Sequence, residues 1–220
     1  MCHTRGVPPN AAIKAVFFDV GGVLTIPLRE TLTKIAADGT MDVSTVGSQF
    51  RDTFFGGQDG DAPSHRLERG EVGIMEFLDS FGEARDALWR LMHPDSPHSL
   101  FVHMTAHHGM HGLVDDARAA GYKTGIVSNI FNEYVERWDE ITNHAGRFDV
   151  VIYSCVEGVR KPNRAIFDLA LGRCGVTANE VLFLDDSPDM VAAAGALGFA
   201  TVCVDDHSRA IAEAREMLAI

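Results

Sequence analysis

Five short apolar runs divide the chain at wide intervals. In order they are AVFFDV (15–20), TGIVSN (124–129), VVIYS (150–154), VLFLDD (181–186) and TVCVDD (201–206). None of them shows the alternation of apolar and polar residues that is typical of a half-exposed antiparallel strand. The runs therefore predict buried strands of a parallel sheet.

Segments of helical length separate the last four runs. Each segment places apolar residues at helical spacing, and Gly or Asn stands at several of their ends, as at many helix termini. These segments are Gly112 to Ala120, Glu133 to Glu140, Arg164 to Arg173 and Asp189 to Leu197. Because strands alternate with helices, we predict an α/β fold with a doubly wound, Rossmann-like parallel sheet.

The interval between the first two runs is far longer than a single crossover helix needs. Four segments within it have helical spacing, with a loop predicted over residues 56–65: Leu28 to Ala37, Val43 to Phe55, Val72 to Phe81 and Ala84 to Met92. We therefore predict a small helical cap, residues 26–108, inserted into an α/β core formed by residues 1–25 and 109–220. Phe54 and Phe55 are expected in the apolar centre of the cap.

The composition is that of a globular protein. Of the 220 residues, 46% are hydrophobic and 23% are charged, which suits one domain that carries an insertion. Nineteen Lys and Arg stand against 31 Asp and Glu, and the net charge of −12 argues against a broad surface for nucleic acid. Any site for an anion must therefore be local.

Cysteine spacing and hydropathy bear on the compartment. The cysteines are scattered and form no CxxC pair, so neither a zinc knuckle nor a disulfide framework is predicted. The longest uncharged stretch, Met190 to Val204, is too short and too interrupted by Gly to span a bilayer. The first residues lack the apolar centre of a secretion signal. We therefore expect a cytoplasmic protein without a membrane partner.

Polar side chains stand at the ends of three predicted strands. Asp19 closes the first run, Ser128 and Asn129 close the second, and Asp185 and Asp186 close the fourth. In an open parallel sheet the ligand crevice lies at the carboxyl ends of the strands, so these groups are expected to converge. A single strand-end carboxylate is equally explained as a helix cap. Three strand ends together favour a functional site.

The motifs resemble those of the haloacid dehalogenase-like superfamily. FFDVGGVLT, GIVSN, GVRKP and FLDDSPDM stand in the order of the four motifs of that family, over essentially the whole chain. HRLERGEV (65–72) and VIYSCVEGVRKPNRAIFDLAL (151–171) resemble the glucose-1-phosphatase-like hydrolases and the N-terminal phosphatase domain of soluble epoxide hydrolases. The resemblance implies a phosphatase for small phosphorylated metabolites that uses Mg²⁺ and an aspartyl-phosphate intermediate. It leaves monomer and homodimer open.

The resemblance also implies a role for each acidic residue. Asp19 would be the nucleophile, since a carboxylate that attacks phosphorus splits one difficult hydrolysis into two easier steps. Asp19 and Asp186 would bind Mg²⁺ through their carboxylates and Gly21 through its backbone carbonyl, because Mg²⁺ prefers oxygen ligands. Asp185 would act on the metal through a water molecule.

A second set of residues is implied for the phosphoryl group. Lys161 would hold Asp19 and the phosphate, and the Ser128 hydroxyl would bind a phosphoryl oxygen together with nearby backbone N–H groups, among which we place those of Asn129 and Gly22. Two alternatives remain at this point. Lys161 is also explained as a surface lysine before Pro162, and Ser128 as the N-cap of a helix.

Two positions depart from the family pattern. Gly21 stands where most family phosphatases have a second Asp that serves as general acid and base, a contribution of roughly 10² to 10⁴-fold. Met190 stands where Asp or Asn usually supports the metal site, and Asp189 beside it is a possible substitute. Gly21 predicts a preference for leaving groups that depart without full protonation, such as sugar 1-phosphates or acyl phosphates.

Other functions remain open from the sequence. A haloacid dehalogenase also uses a strand-end Asp with Ser, Asn and Lys but needs no metal, whereas the adjacent Asp185 and Asp186 favour a cation site. A catalytically weak or silent phosphoryl-binding module is suggested by Gly21 and Met190. In the predicted cap, the candidates for substrate contact are Arg66, Glu68 and Arg69, which are equally explained as a charged helix end.

The segment HMTAHHGMHG (103–112) carries four histidines within nine residues. Transition-metal binding is one interpretation, because His103 and His107, or His107 and His111, would share a helix face. Gly109 argues against a rigid helix there, and no acidic or cysteine partner is near in sequence. A solvated start of the following helix is the favoured interpretation.

Overall fold

The structure is a computed structural model that describes residues 12–37, 59–93, 95–143 and 145–220. The predicted helix Val43 to Phe55, with Phe54 and Phe55, lies outside the described residues.

The described residues form a five-stranded parallel sheet. Its strands are β1 (Ala15–Phe18), β2 (Lys123–Ser128), β3 (Val150–Tyr153), β4 (Val181–Asp185) and β5 (Ala200–Cys203). The order across the sheet is β3-β2-β1-β4-β5, and every neighbouring pair is parallel. Each strand coincides with one of the five predicted runs to within a few residues, and the predicted Rossmann-like fold class is confirmed.

Burial on both faces explains why the runs do not alternate in polarity. All four residues of β1 are fully buried. Val16 and Phe18 belong to one apolar cluster, whereas Ala15 and Phe17 belong to another on the opposite face of the sheet. Because helices cover both faces, every position along the strand gains stability from an apolar side chain.

Helices connect the strands and form the insertion after β1. In chain order they are α1 (Leu28–Ala37), α2 (Pro63–Glu68), α3 (Ile74–Asp79), α4 (Arg85–Met92), α5 (Leu100–His103), α6 (His108–Ala119), α7 (Val135–Thr142), α8 (Ser154–Glu157), α9 (Arg164–Cys174), α10 (Pro188–Ala196) and α11 (His207–Leu218). Four of them depart from the prediction. Pro63 opens α2 inside the predicted loop 56–65, since a Pro suits the first turn of a helix. The short helices α5 and α8 and the final helix α11 lie outside every helical segment predicted from the sequence.

The chain leaves the sheet region and returns to it at one place. Thr25 and Ala106 form an isolated antiparallel bridge, and Ile26 N donates to Thr105 O over 2.9 Å. The predicted ends of the cap fall close to this bridge. However, apolar residues of α2 and α3 belong to the same cluster as one face of the sheet, so the division into core and cap stays a prediction.

The second half of the histidine segment belongs to α6, which begins at His108 and includes Gly109. Gly109 therefore does not interrupt a helix, but residues 104–107 are not helical, so no single helix carries His103 and His107. His107 is the N-cap, where its Nδ1 accepts from Met110 N over 3.2 Å, and its ring stacks on that of His207. His111 Nε2 lies 3.1 Å from Leu24 O. Within the described ranges, these histidines belong to no group with metal-ligand spacing.

Two further expectations concern the cysteines and the membrane. Cys155 and Cys174 are buried free thiols, whereas Cys203 takes part in a disulfide, a pairing that the scattered spacing did not predict. Among the described helices, none combines the length and the apolar character that crossing a membrane requires.

Substitutions at two glycines, one in a strand and one in a helix, test how tightly each position is packed. A Cβ at Gly125 in β2 would lie 2.6 Å from Cδ1 of the fully buried Phe17 ring, whereas Gly172 in α9 has no neighbouring atom within 4 Å of that position. We expect Gly125→Ala to lower the free energy of unfolding by about 1–3 kcal/mol through overpacking. Gly172→Ala should raise it by about 0.5–1 kcal/mol through helix propensity. Urea denaturation checks both, and equal stabilities of the two variants would contradict this packing.

Candidate active site

Three carboxylates meet at the carboxyl ends of β1 and β4. Asp19 follows β1, Asp185 ends β4 and Asp186 follows it. One carboxylate oxygen from each lies within 4.8 Å of the others. The register explains this approach, because Phe18 pairs with Leu184 and Asp19 N donates to Leu184 O over 2.9 Å. The predicted convergence of these strand ends is therefore present in the structure.

The Lys161 ammonium joins two of these carboxylates. Its Nζ lies 2.6 Å from Asp185 Oδ2 and 3.2 Å from Asp19 Oδ1. Burial lowers the pKa of Lys161, but the carboxylates of Asp185 and Asp19 outweigh burial, so the net shift of its pKa is upward. Lys161 is only 1% exposed, which excludes the alternative of a surface lysine.

Asn129 fixes the backbone of Lys161. Its Oδ1 accepts from Lys161 N over 2.8 Å, and its Nδ2 donates to Lys161 O over 3.1 Å. Asn129 follows β2, whereas Lys161 lies between α8 and α9. Two hydrogen bonds from one amide thus hold the lysine loop against the neighbouring strand end.

The carboxylate cluster carries more negative charge than Lys161 offsets. Burial raises the pKa of Asp185 to about 6, although Lys161 acts against this shift, and Asp185 Oδ1 accepts from Ser187 N over 2.9 Å. Burial and then the charges of Asp185 and Asp19 raise the pKa of Asp186 well above its ordinary value. A cation bound here would therefore stabilise the ionised form of Asp186.

The glycines after Asp19 let the backbone approach the cluster. Gly22 has φ of +71°, and a Cβ there would lie 2.3 Å from Asp186 Oδ2, so the position requires glycine. Its N–H donates to Thr25 Oγ1 over 2.9 Å and is therefore engaged within the loop. Gly21 has an ordinary φ of −63°. A Cβ at Gly21 would meet only Trp138 Cζ2, at 3.9 Å.

The Ser128 side chain lies outside the cavity next to the cluster. Ser128 ends β2 and is 1% exposed, and its Oγ has no hydrogen-bond partner among the described residues. The alternative of a helix N-cap is therefore not observed. Of the predicted site residues, those that line the cavity are Asp19, Gly21, Gly22, Asn129, Lys161, Asp185 and Asp186.

The cavity has a volume of about 170 Å³, and most of its wall away from the carboxylates is apolar. Few of the apolar lining residues were anticipated from the sequence, because they come from helices and loops far apart in the chain. The apolar lining residues are Leu28, Leu100, Met104, Ile130, Phe131, Trp138 and Met190. Asp189 is exposed and does not line the cavity, so it does not replace the usual acid at position 190.

An ion pair between the insertion and the sheet region also lines the cavity. Arg160 is 1% exposed, and its Nε donates to Glu68 Oε2 over 2.6 Å. In the sequence, the position of Arg160 directly before Lys161 is the one feature that associates it with the site. Of the three predicted contacts in the cap, Glu68 lines the cavity, whereas Arg66 and Arg69 do not.

The comparison with known families decides the relationship of this chain. A model of the protein family described as "haloacid dehalogenase-like hydrolase" matches residues 13–198. The chain belongs to this family of hydrolases. The prediction drawn from the four motifs is thus confirmed.

Relatives of this hydrolase differ in how much of their length it spans. Acyl-CoA dehydrogenase family member 10 of Mus musculus is 30% identical over 211 residues, which are 93% of this chain but 19% of the mouse protein. Sesquiterpene phosphatase astK of Aspergillus oryzae is 25% identical over 209 residues, which are 93% of this chain and 96% of that protein. The chain therefore spans about a fifth of one relative and nearly all of the other.

A solved structure shares the fold of this hydrolase. It is the haloacid dehalogenase family enzyme bt-2542 of Bacteroides thetaiotaomicron, in complex with magnesium and inorganic phosphate. The TM-score is 0.58 at 20% identity, and the match covers 90% of this chain and 98% of the other.

The raised pKa of Asp186 predicts how stability depends on pH without metal. An acid whose pKa is higher in the folded than in the unfolded state costs stability as it ionises, so stability falls as pH rises from about 4 towards the folded pKa. In EDTA at pH 7.5, we expect Asp186→Asn to be more stable than the wild type by about 0.5–2 kcal/mol. The difference should shrink towards pH 4.

Thermal or urea unfolding across this pH range checks the prediction. Asp189→Asn is the matched control, because Asp189 is exposed and only three residues away. An Asp186→Asn variant that is less stable than the wild type at pH 7.5 in EDTA would show that burial and the neighbouring carboxylates do not destabilise ionised Asp186.

Proposed function

We propose that this chain is a Mg²⁺-dependent phosphatase that hydrolyses small phosphomonoesters through an aspartyl-phosphate on Asp19. One observation carries the proposal: Asp19, Asp185 and Asp186 meet Lys161 at one end of a cavity. The magnesium and phosphate in the Bacteroides structure and the phosphatase activity in the name of the Aspergillus relative support it.

The donor set fits Mg²⁺. Hard carboxylate and carbonyl oxygens are the ligands that Mg²⁺ prefers, and the cluster has an excess of negative charge. Asp19, Asp186 and the Gly21 carbonyl would hold the ion. Asp185 would act through a water, since Lys161 and Ser187 N already engage its oxygens. When bound, Mg²⁺ neutralises charge as one anion attacks another.

Asp19 is placed to attack. Val20 N donates to Asp19 Oδ1 over 2.7 Å, and the contact with Lys161 falls on the same oxygen. Among the described residues, Oδ2 has no partner, so it is available to form a bond with phosphorus. The ester oxygen then leaves with the electron pair of its bond to phosphorus, and water later releases phosphate from Asp19.

Lys161 and Ser128 would hold the phosphoryl group. Lys161 contributes a buried positive charge beside the nucleophile. The Ser128 hydroxyl is buried without a partner, a state that costs about 1–3 kcal/mol. A phosphoryl oxygen would supply the missing partner after a rotation of the side chain.

The apolar wall favours substrates whose alcohol part is apolar. Residues from the insertion and from the sheet region both contribute to this wall, including Leu28, Met104 and Trp138. The insertion would thus act as the predicted cap, which closes over the substrate and excludes water. The sesquiterpene substrate in the name of the Aspergillus relative fits such a wall.

Phosphate release from a panel of phosphomonoesters, with Mg²⁺ or with EDTA, tests the reaction. Asp19→Asn should lower turnover at least about 10³-fold, because the nucleophile is lost, while Asp189→Asn stays close to the wild type. Turnover that survives in EDTA or in Asp19→Asn would overturn the mechanism. Release of halide from 2-haloacids without metal would point to a dehalogenase, and no reaction with any compound to a silent binding module.

A second experiment tests the apolar substrate class. Each buried methylene contributes about 0.8 kcal/mol, or roughly fourfold in kcat/KM. Over the first few methylenes, kcat/KM should therefore rise along a series of straight-chain alkyl phosphates. Propyl phosphate should be a better substrate than glycerol 1-phosphate, which has the same carbon skeleton with two hydroxyls. Preference for the glycerol ester would contradict an apolar leaving-group site.

A further inference from the structure

Gly21 removes the acid that usually protonates the leaving group, so another proton donor is needed for alkyl esters. Four carboxyl groups of the described residues line the cavity. Three of them form the cluster of Asp19, Asp185 and Asp186. The fourth is Glu68, on the side of the cavity that the insertion contributes.

The Glu68 carboxyl group is fixed by one oxygen only. Arg160 Nε donates to Oε2 over 2.6 Å, and Oε1 has no partner among the described residues. Arg160 is itself buried, which restricts the motion of the pair. Arg160 also precedes Lys161, whose Nζ contacts Asp19. The ion pair thus connects Glu68 to the nucleophile through two adjacent residues of the chain.

We propose that Glu68 is the general acid and base of this phosphatase and replaces the carboxyl group that Gly21 lacks. The inference rests on the proposed function. Glu68 is a catalytic residue in this scheme, since its Oε1 would contact the leaving oxygen of the substrate.

The environment of Glu68 suits this role. Burial raises its pKa, and although Arg160 acts against burial, the net shift is upward. Lys161 lowers and Asp19 raises the same pKa, and both residues line the same cavity as Glu68. A carboxyl group with a pKa nearer to neutrality is both a better reservoir of protons and a better base.

The protons balance over the two steps. As Asp19 forms its bond with phosphorus, the bond from phosphorus to the ester oxygen breaks, and the Glu68 proton moves to that oxygen to give the alcohol. Glu68 is then a carboxylate. Water attacks the phosphorus of the aspartyl-phosphate and gives a proton to Glu68, while Asp19 leaves as a carboxylate. The sum is ester plus water to alcohol plus phosphate.

This role changes the expectation about leaving groups that follows from Gly21 alone. With Glu68 as acid, the wild type hydrolyses alkyl phosphates as well as esters of acidic alcohols. The narrow preference for leaving groups that need no proton then describes the Glu68→Gln variant. This substitution keeps the length of the side chain and an oxygen that accepts from Arg160.

Single-turnover release of the leaving group separates the acid from other roles, because it precedes the attack of water. We compare p-nitrophenyl phosphate, whose leaving group needs no proton, with propyl phosphate, whose leaving group does. Glu68→Gln should lower the rate of propanol release about 10² to 10⁴-fold and leave p-nitrophenol release within about threefold. Retained p-nitrophenol release also shows that the variant folds and binds.

Rescue at position 21 gives a second readout. Gly21→Asp meets no strain in φ, and the new Cβ would contact only Trp138 Cζ2, at 3.9 Å, so the backbone accepts a side chain at this position. In the Glu68→Gln background, Gly21→Asp should restore propanol release by at least about tenfold. Glu76→Gln, an exposed glutamate of the next helix, is the matched control and should resemble the wild type.

The outcomes separate the two proposals. If Glu68→Gln slows both substrates equally, or slows neither, the role of Glu68 is overturned and the phosphatase stands. If the wild type releases neither leaving group, the proposed function fails and the role of Glu68 fails with it.

Discussion

Repulsion among three carboxylates at the carboxyl ends of β1 and β4 is the constraint on which the site depends. Oxygens of Asp19, Asp185 and Asp186 lie within 4.8 Å of one another, and one ammonium group, that of Lys161, lies among them. Such an arrangement costs stability in the free protein, because burial first and then the neighbouring negative charges raise the pKa values of Asp185 and Asp186. The fold maintains it because the parallel register brings β1 and β4 together with both faces buried. Binding a cation would recover part of that cost.

The sheet and the insertion contribute different groups to the site. Strand ends and the loop of Lys161 contribute the charged groups, while helices from both parts contribute the apolar wall. The pair of Arg160 and Glu68 connects the two parts. In our proposals the strand ends therefore bind and attack phosphorus, whereas the insertion selects the alcohol and gives it a proton. Loss of the acid at Gly21 would then move acid catalysis from the sheet to the insertion.

Much of the sheet and of the charged end was predictable from the sequence, because both rest on local patterns. Apolar runs such as VLFLDD predict both a buried strand and the acidic residues at its end, and the family motifs identify Lys161 as a site residue. The apolar wall and Arg160 were not predictable in this way, since their roles depend on which distant segments pack together. Ser128 shows a further limit of prediction from sequence. The motif identifies the residue but not the direction of its hydroxyl group, and in the structure this hydroxyl is buried.

The most direct test is to identify the phosphorylated residue during turnover. The protein is mixed with p-nitrophenyl phosphate and Mg²⁺, quenched in acid within the first turnover, digested and analysed by mass spectrometry. Our mechanism predicts one phosphoryl group per chain on the peptide that contains Asp19, and none in Asp19→Asn. Turnover with an unmodified Asp19, or with the phosphoryl group on another residue, would contradict the assignment of Asp19 as nucleophile.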